Sequence, residues 1–571
     1  MGAMLPGYHG AYLRVDLATG AGEPVLLPDD VLLDFVGGVG LGTWICREEG
    51  GAEIDPLDPA APLVFALSPL VGTPLTTSAK FAVVGRSPLT GFLSDAVSSS
   101  HFAIAAKRAG YDAYVLTGRA PSLSRLVIDE GAVSVRPAPE LAGRPAADCE
   151  LDGFRTAAIG RAGENGVRYA TISNDGRHAG RGGLGAVLGA KNVKAFSIRG
   201  RLVTDVFDAK GVVDASRDLS QKSLGPATAK YRELGTIANV LAFNRLATLP
   251  TRNFQEATFE AAAELSAEAL HTMNRVGRAS CASCTIGCEH IFKPKDGIPV
   301  RLEYETLFAL GSLLGVGDRD EVLRLAALCD RLGLDTISAG GTIAFAMEAG
   351  FADVGFGDAA AVGELLERIA ALDPPGDLLA AGSRHAAHVL GKPELAMHVK
   401  GLEIPGYDPR TLPAMALGFA VGTRGADHNR SSAYELDFSE DDFDVARVVE
   451  IENRTASMDS LILCKFVRGV FSDYAQEAGE LLRLVTGARI DLMDVGARVC
   501  SLRKLFNIEA GWRPEDDSLP ERLLEGALSP AKLADMIERY NEERCWTKHG
   551  TIPRSLADRL RLSRFRSTDA R

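Results

Sequence analysis

Short apolar runs, divided by Gly, Pro, Ser and Asp, dominate residues 1–200. "AYLRVDL", "PLVFAL", "FAVVGRS", "AYVLTG", "SRLVIDEGAVSVRP", "VRYATIS" and "KAFSIRG" are rich in β-branched and aromatic residues. Their composition and punctuation predict strands. A few helical pieces intervene, such as "SSSHFAIAAKRAG". From about residue 205 onward the spacing of apolar positions lengthens to that of a helix. In "RDEVLRLAALCDRLGLD", Val322, Leu325, Ala326 and Cys329 share one face, and Gly333 is a natural stop. "DVARVVEIENRTASMDSLILCKFV" and "DLMDVGARVCSLRKLFNIEAGW" repeat that style, with no internal repeat and no low-complexity linker. The pattern predicts an α+β fold. A β-rich domain spans 1–203, a mostly α-helical domain 204–400, and a second helical domain 401–571.

Composition changes this picture little. A chain of 571 residues carries two to four domains at ~150 residues each. A formal net charge of −13 argues against non-specific nucleic-acid binding, which needs clustered Lys and Arg. The N-terminal stretch has neither a basic nor an apolar signal region, and no apolar run reaches the ~20 residues of a membrane span. The expected compartment is the cytoplasm, where cysteines stay reduced and a cysteine cluster reads as metal ligation before disulfide.

That cluster is "GRASCASCTIGCEH", residues 277–290. Cys281, Cys284 and Cys288 follow a C-x2-C-x3-C spacing that sets three thiolates on one side of a tight turn. A [4Fe–4S] cubane needs a fourth ligand, and Cys46, Cys149, Cys329, Cys464, Cys500 and Cys545 are all candidates. A Cys3His zinc site using His290 competes, as does chance clustering of inert thiols. The radical-SAM spacing is the reverse one.

Residues 174–196 form a glycine-rich segment with Arg177, Arg181, Lys191 and Lys194, which offers backbone N–H groups and cations to an anion such as phosphate. It lacks the Walker A pattern. Gly183, Gly185 and Gly189 imitate a dinucleotide fingerprint, but a polar loop is expected before them rather than a strand. "FVGGVGLGTW" is a second such turn. Taken singly, each reads more readily as a tight turn than as a cradle. Lys80 and Arg86 flank a strand. Asp408, Arg410, Arg424 and His428 sit near Gly and Pro turns, where polar residues are functional candidates.

Together these segments resemble the aldehyde ferredoxin oxidoreductase family, the tungsten–bispterin enzymes. The resemblance runs through "GRSPLTGF", "AGYDAYVLTG", "IGRAGEN", the 174–195 segment, the cysteine triplet, "LEYETLFALG", "CDRLGLDTISAGGTIAFAME", "LEIPGYDPR" and "KLFNIEAGW". It makes the β-rich domain the pterin-binding one. It implies that Cys464, in "DSLILC", is the fourth cluster ligand beside Cys281, Cys284 and Cys288. It further implies two pterin dithiolenes holding tungsten, or molybdenum, with magnesium joining their phosphates. Arg177, Arg181, Gly182 and Gly183 then belong to the pterin cradle. Asp330 and Asp335 match aspartates that bind one pterin, Asp459 contacts the other, and Lys80 stands between cluster and pterin.

The implied reaction is two-electron oxidation of an aldehyde to a carboxylate, with electrons leaving through the cluster to ferredoxin or a partner subunit. Glu305 and His428 match the acid–base positions, and buried Glu and His both suit proton transfer near neutrality. Three residues depart from the family pattern. Val39 replaces an arginine, Val97 stands where an asparagine segment is usual and a magnesium contact falls, and Ile462 replaces the glycine of D-x-x-G-L-C. The E-x-x-H of a bridging iron is absent, so no bridging iron is expected, and the oligomeric state stays open. The alternatives are the catalytic subunit of a tungsten acyl-CoA reductase-like complex and a degenerate paralogue without pterin. A nucleotide-dependent dehydrogenase is a weaker one.

Overall fold

The computed structural model describes residues 5–526 and 528–562. The outermost residues of the first and third expected domains lie outside these. The α+β expectation holds. Among the described residues twelve strands precede residue 200, and the chain beyond it is helix-rich.

Six strands make the first sheet: β1 (Ala11–Asp16), β2 (Ala21–Leu26), β3 (Leu63–Ala66), β4 (Lys80–Arg86), β5 (Leu93–Ser99) and β6 (Ala113–Thr117). Their order is β2-β1-β6-β3-β4-β5, parallel only between β1 and β6. The second sheet holds β7 (Ser124–Asp129), β8 (Ala132–Pro137), β9 (Arg155–Ala158), β10 (Ile172–Asn174), β11 (Arg177–Ala179) and β12 (Val193–Arg199), ordered β11-β10-β9-β12-β7-β8. One core joins the two sheets. In it Phe65, Phe81, Phe102 and Phe196 pack with centroids 4.9–6.2 Å apart, the spacing aromatic rings favour. The other face of the first sheet packs on the helix Gly38–Glu48, which in turn meets the helices Val445–Leu461 and Leu492–Glu509. A third core fills the helical region.

Local chemistry explains most boundaries. The helix Arg319–Leu332 starts where Asp318 accepts from the Asp320 and Glu321 amides and ends at Gly333 with φ 78°, as its periodicity predicts. Four strands escape the pattern, β2, β5, β9 and β11. β2 is an exposed edge carrying a proline, and β5 is serine-rich. "VRYATIS" yields only its end to β10, while Val167 and Tyr169 serve the core from a loop.

The expected polar loop before Gly183 is instead the β10–β11 hairpin. Asn174 pairs with Arg177 across Asp175-Gly176, both at positive φ. Asp-Gly is the signature of a two-residue hairpin turn, so the signal was present in the sequence. Among the described residues, no helix is long and apolar enough to cross a membrane.

Candidate functional site

Cys281, Cys284 and Cys288 come from the loop after strand Arg275–Ala279, and Cys464 from the turn after helix Val445–Leu461. All four are free and line one small cavity. Among the described residues no three His, Cys, Asp or Glu side chains converge on a single ion. The thiols therefore surround a space rather than a point. His290 is turned elsewhere: Nε2 lies 3.2 Å from the Tyr231 carbonyl and the ring packs on His271. Cys46, Cys149, Cys329, Cys500 and Cys545 lie outside this cavity. Burial pushes the Cys281 thiol up to about 11 and raises Cys284 and Cys288. Buried thiolates need a compensating positive centre, and four thiols around a void fit an iron–sulfur cluster.

A second cavity of about 360 Å³ adjoins the first. Lys80, Ser99, Arg177, Cys464 and Phe466 line both. Burial works to lower the Lys80 ammonium, but the Cys464, Cys281 and Cys284 sulfurs outweigh it and raise its pKa. Arg177 Nη1 donates to Glu303 at 2.9 Å, and its Nε lies 3.2 Å from Glu289. Glu289 is buried on a strand, accepts from Cys281 Sγ at 3.1 Å and meets Arg301 at 3.2 Å. It thus ties the cysteine loop to the cavity wall.

The second cavity collects most of the candidate residues. Glu305, near the start of helix Tyr304–Leu310, and His428, at the start of a short helix, face each other there. Glu305 Oε2 accepts from the Gly406 amide at 3.0 Å, and Oε1 stands 3.4 Å from His428 Nδ1. Burial pushes Glu305 up to about 7, against the Gly406 hydrogen bond and Arg181. Burial, then Arg181 and Lys465, hold His428 well below its ordinary value.

The aspartates divide. Asp459 Oδ2 accepts from Arg430 Nη1 at 2.9 Å, and its side chain lines the cavity. Asp330, 43% exposed, sits at the rim with Oδ1 3.2 Å from His178 Nε2. Asp335 is buried behind the wall, where it caps helix Thr336–Glu348 and meets Arg181 Nε at 3.3 Å. Arg181 also donates to the Ala426 and Glu403 carbonyls at 2.7 and 2.6 Å.

Gly182 and Gly183 do not line the cavity. Gly183 has φ +73°, and a Cβ there would meet the Arg168 carbonyl at 1.9 Å. The geometry requires glycine for packing. Asp408 and Arg410 pair with each other away from the cavity, and Arg86 closes its own hairpin through Gly91.

Sequence reasoning missed a buried charge cluster on the cavity's inner wall. Asp95 takes ion pairs from Arg430 and Arg503, and Arg424 donates to its carbonyl. Burial would raise the Asp95 pKa, but Arg430, Arg503 and Arg424 outweigh it and hold it low. Arg424 Nε is buried there without a hydrogen-bond acceptor, and Lys465 Nζ has only a 3.4 Å ion pair with Asp459. Spare buried donors of this kind fit an anionic cofactor such as a pterin phosphate. Val97 lines the cavity with an apolar side chain, so it offers a cation only its carbonyl. Val39 is core, and its carbonyl accepts from Thr43 at 2.7 Å.

A cation-lined cavity that shares a wall with four free thiols suits an oxidoreductase, with room for an anionic redox group beside a metal cluster. The family model of the aldehyde ferredoxin oxidoreductase N-terminal domain matches residues 12–200, and that of domains 2 and 3 matches residues 214–562. The chain belongs to the aldehyde ferredoxin oxidoreductase family. It is 34% identical to the tungsten-containing aldehyde ferredoxin oxidoreductase of Pyrococcus furiosus, across 98% of this chain and 100% of that one. The Thermococcus kodakarensis enzyme of the same description is 33% identical over the same shares. The WOR-like subunit of the Pyrococcus furiosus aliphatic sulfonate oxidoreductase is 28% identical over 96% of each chain. Among solved structures, the active-site complex BamBC of benzoyl-coenzyme A reductase superposes with a TM-score of 0.84 and 22% identity over 98% of both chains, which bears on fold alone. The family implies a tungsten–pterin cofactor.

Proposed function

We propose that this chain oxidises an aldehyde to a carboxylate with a tungsten–pterin group and passes the electrons through a [4Fe–4S] cluster to ferredoxin or a partner subunit. The observation that carries this is the shared wall of Lys80, Ser99, Arg177, Cys464 and Phe466 between the thiol cavity and the Glu305–His428 cavity. Cys281, Cys284, Cys288 and Cys464 would hold the cluster. Asp330, Asp459, Lys80, Arg177, Arg181, Arg424 and Arg430 would hold the pterins and their phosphates, and a magnesium ion would neutralise those phosphates. When bound, these groups supply two-electron oxidation and one-electron relay.

The remaining work belongs to the chain. One aldehyde and one water give one carboxylate, three protons and two electrons. Near neutral pH Glu305 is poised between its two forms while His428 is neutral. Glu305 Oε1 is the atom that takes a proton from water, because Oε2 is committed to the Gly406 amide. His428, neutral, orients that carboxyl from Nδ1, 3.4 Å away. Burial, and then the neighbouring cations, keep His428 in its neutral form. Among molybdenum and tungsten, the tungsten-containing relatives favour tungsten.

The test is elemental analysis of anaerobically purified protein, with aldehyde-dependent reduction of a viologen dye. About one tungsten and four irons per chain are expected. Stoichiometric zinc without iron, or no dye reduction across aliphatic and aromatic aldehydes, overturns the reading.

A second reading makes the chain the catalytic subunit of a larger complex. It is favoured by the relatives that are themselves parts of assemblies, the WOR-like subunit and BamBC. Native co-purification of iron–sulfur or flavin subunits separates the two.

A further inference from the structure

The cysteine loop lies beside a face with its own chemistry. Strand Arg275–Ala279 is an edge of a three-stranded sheet completed by Glu289–Phe292 and Val300–Arg301, and it runs directly into that loop. Arg275 and Arg278 are exposed on it. Arg278 donates to the Arg232 carbonyl at 3.1 Å and the Ile286 carbonyl at 3.4 Å, which ties the strand to helix Ala229–Glu233 and to the loop itself. Lys230, exposed on that helix, and half-buried Arg232 extend the basic surface.

The hydrogen bonds of these cations go to neutral partners. Lys230 meets Asn239 at 2.5 Å, and Arg232 meets Thr228 at 3.2 Å and the Gly225 carbonyl at 2.9 Å. Glu233 is the single acid of that helix. On a chain of formal net charge −13, four such cations on two elements tied together beside one loop, against Glu233 and Glu268, are a local concentration of positive charge. Two exposed apolar side chains flank the loop, Leu224 (53%) and Val276 (56%). Leu224 follows Ser223, whose hydroxyl is 2.6 Å from that of Thr285 in the loop.

We propose that this face docks a small acidic iron–sulfur carrier of the ferredoxin type, and the inference rests on the function proposed above. Basic side chains steer an acidic partner and set its orientation. Few large apolar groups suit a transient contact rather than a permanent subunit. Each encounter moves one electron from the thiol-held site to one oxidised carrier. Two encounters therefore clear the two electrons of one aldehyde.

The test uses the holoenzyme and the double variant Lys230→Glu/Arg275→Glu, neither residue touching the thiol cavity. A bacterial-type ferredoxin is the probe, with benzyl viologen as a small acceptor for comparison. The expected result is roughly a tenfold fall in kcat/KM for ferredoxin at low salt, closing as ionic strength rises, with viologen activity unchanged. Equal loss with both acceptors, or ferredoxin kinetics within twofold of the parent, overturns the docking face. Ferredoxin binding by calorimetry, without any substrate, keeps the proposal testable if aldehyde oxidation itself fails. Salt-sensitive binding lost in the variant supports the face, and binding unchanged in the variant, or undetected in the parent, refutes it.

Discussion

Glu305 Oε1 and His428 Nδ1 stand 3.4 Å apart inside the large cavity, where burial leaves the carboxyl near 7 and the imidazole neutral. The pair carries a single mobile proton across the physiological range. With Glu305 as the base, kcat/KM rises as pH passes through about 7. Glu305→Gln should abolish that limb and lower kcat by roughly 10²–10⁴-fold. A pH–rate profile of both enzymes checks this.

The same shift has a stability consequence of definite sign. The folded chain holds the Glu305 proton more tightly than the unfolded chain does. Its contribution is full below the ordinary carboxylate range and lost as pH rises through about 7. The difference is at most roughly 3 kcal/mol. The Glu305→Gln apoprotein should therefore melt above the parent at pH 8 and close to it at pH 4, as thermal unfolding at both pH values will show.

Cys464 is expected to matter to the cluster as much as the three loop thiols. Cys464→Ser should lose most of the iron and the low-temperature EPR signal of the reduced cluster. Cys545→Ser, an exposed thiol outside the cavity, should lose neither. Iron analysis and EPR of the two variants decide it.

Ile462 takes the left-handed conformation, φ 62°, as the stop of helix Val445–Leu461, a conformation that glycine adopts without strain. A β-branched residue there is strained by about 1–2 kcal/mol. Its side chain is fully buried, though, and emptying such a site costs about 2–5 kcal/mol. Burial wins. Ile462→Gly should lower stability by roughly 1–3 kcal/mol while iron content holds. Denaturant unfolding alongside iron analysis measures both.

Asp335 is expected to act through Arg181. Asp335→Ala removes a helix cap, worth about 1 kcal/mol, and leaves a buried guanidinium short of its counter-charge, worth about 3–5 kcal/mol more. Asp335→Asn keeps the cap and should recover part of the loss. Unfolding midpoints of the two variants test the split.

The helix Arg319–Leu332 and most strands were legible because their periodicity and caps are local. The cysteine triplet was legible for the same reason, whereas its partner Cys464 lies over 170 positions away and came only through family resemblance. Asp95, Glu289, Arg430, Lys465 and Arg503 escaped notice. Each looks like an ordinary surface charge until distant elements close around it. Gly182 and Gly183 show the converse: their signal was real, but its cause is close packing against Ser94 and Arg168.

Asp459 and Cys464 belong to one uninterrupted stretch of backbone, the end of a buried helix and the turn that follows it. The span from cofactor wall to thiol cavity is therefore fixed by covalent bonds as well as by packing. Such a ruler resists thermal breathing of the surrounding helices. On the function proposed above, heating should upset substrate positioning long before it lengthens the electron's jump.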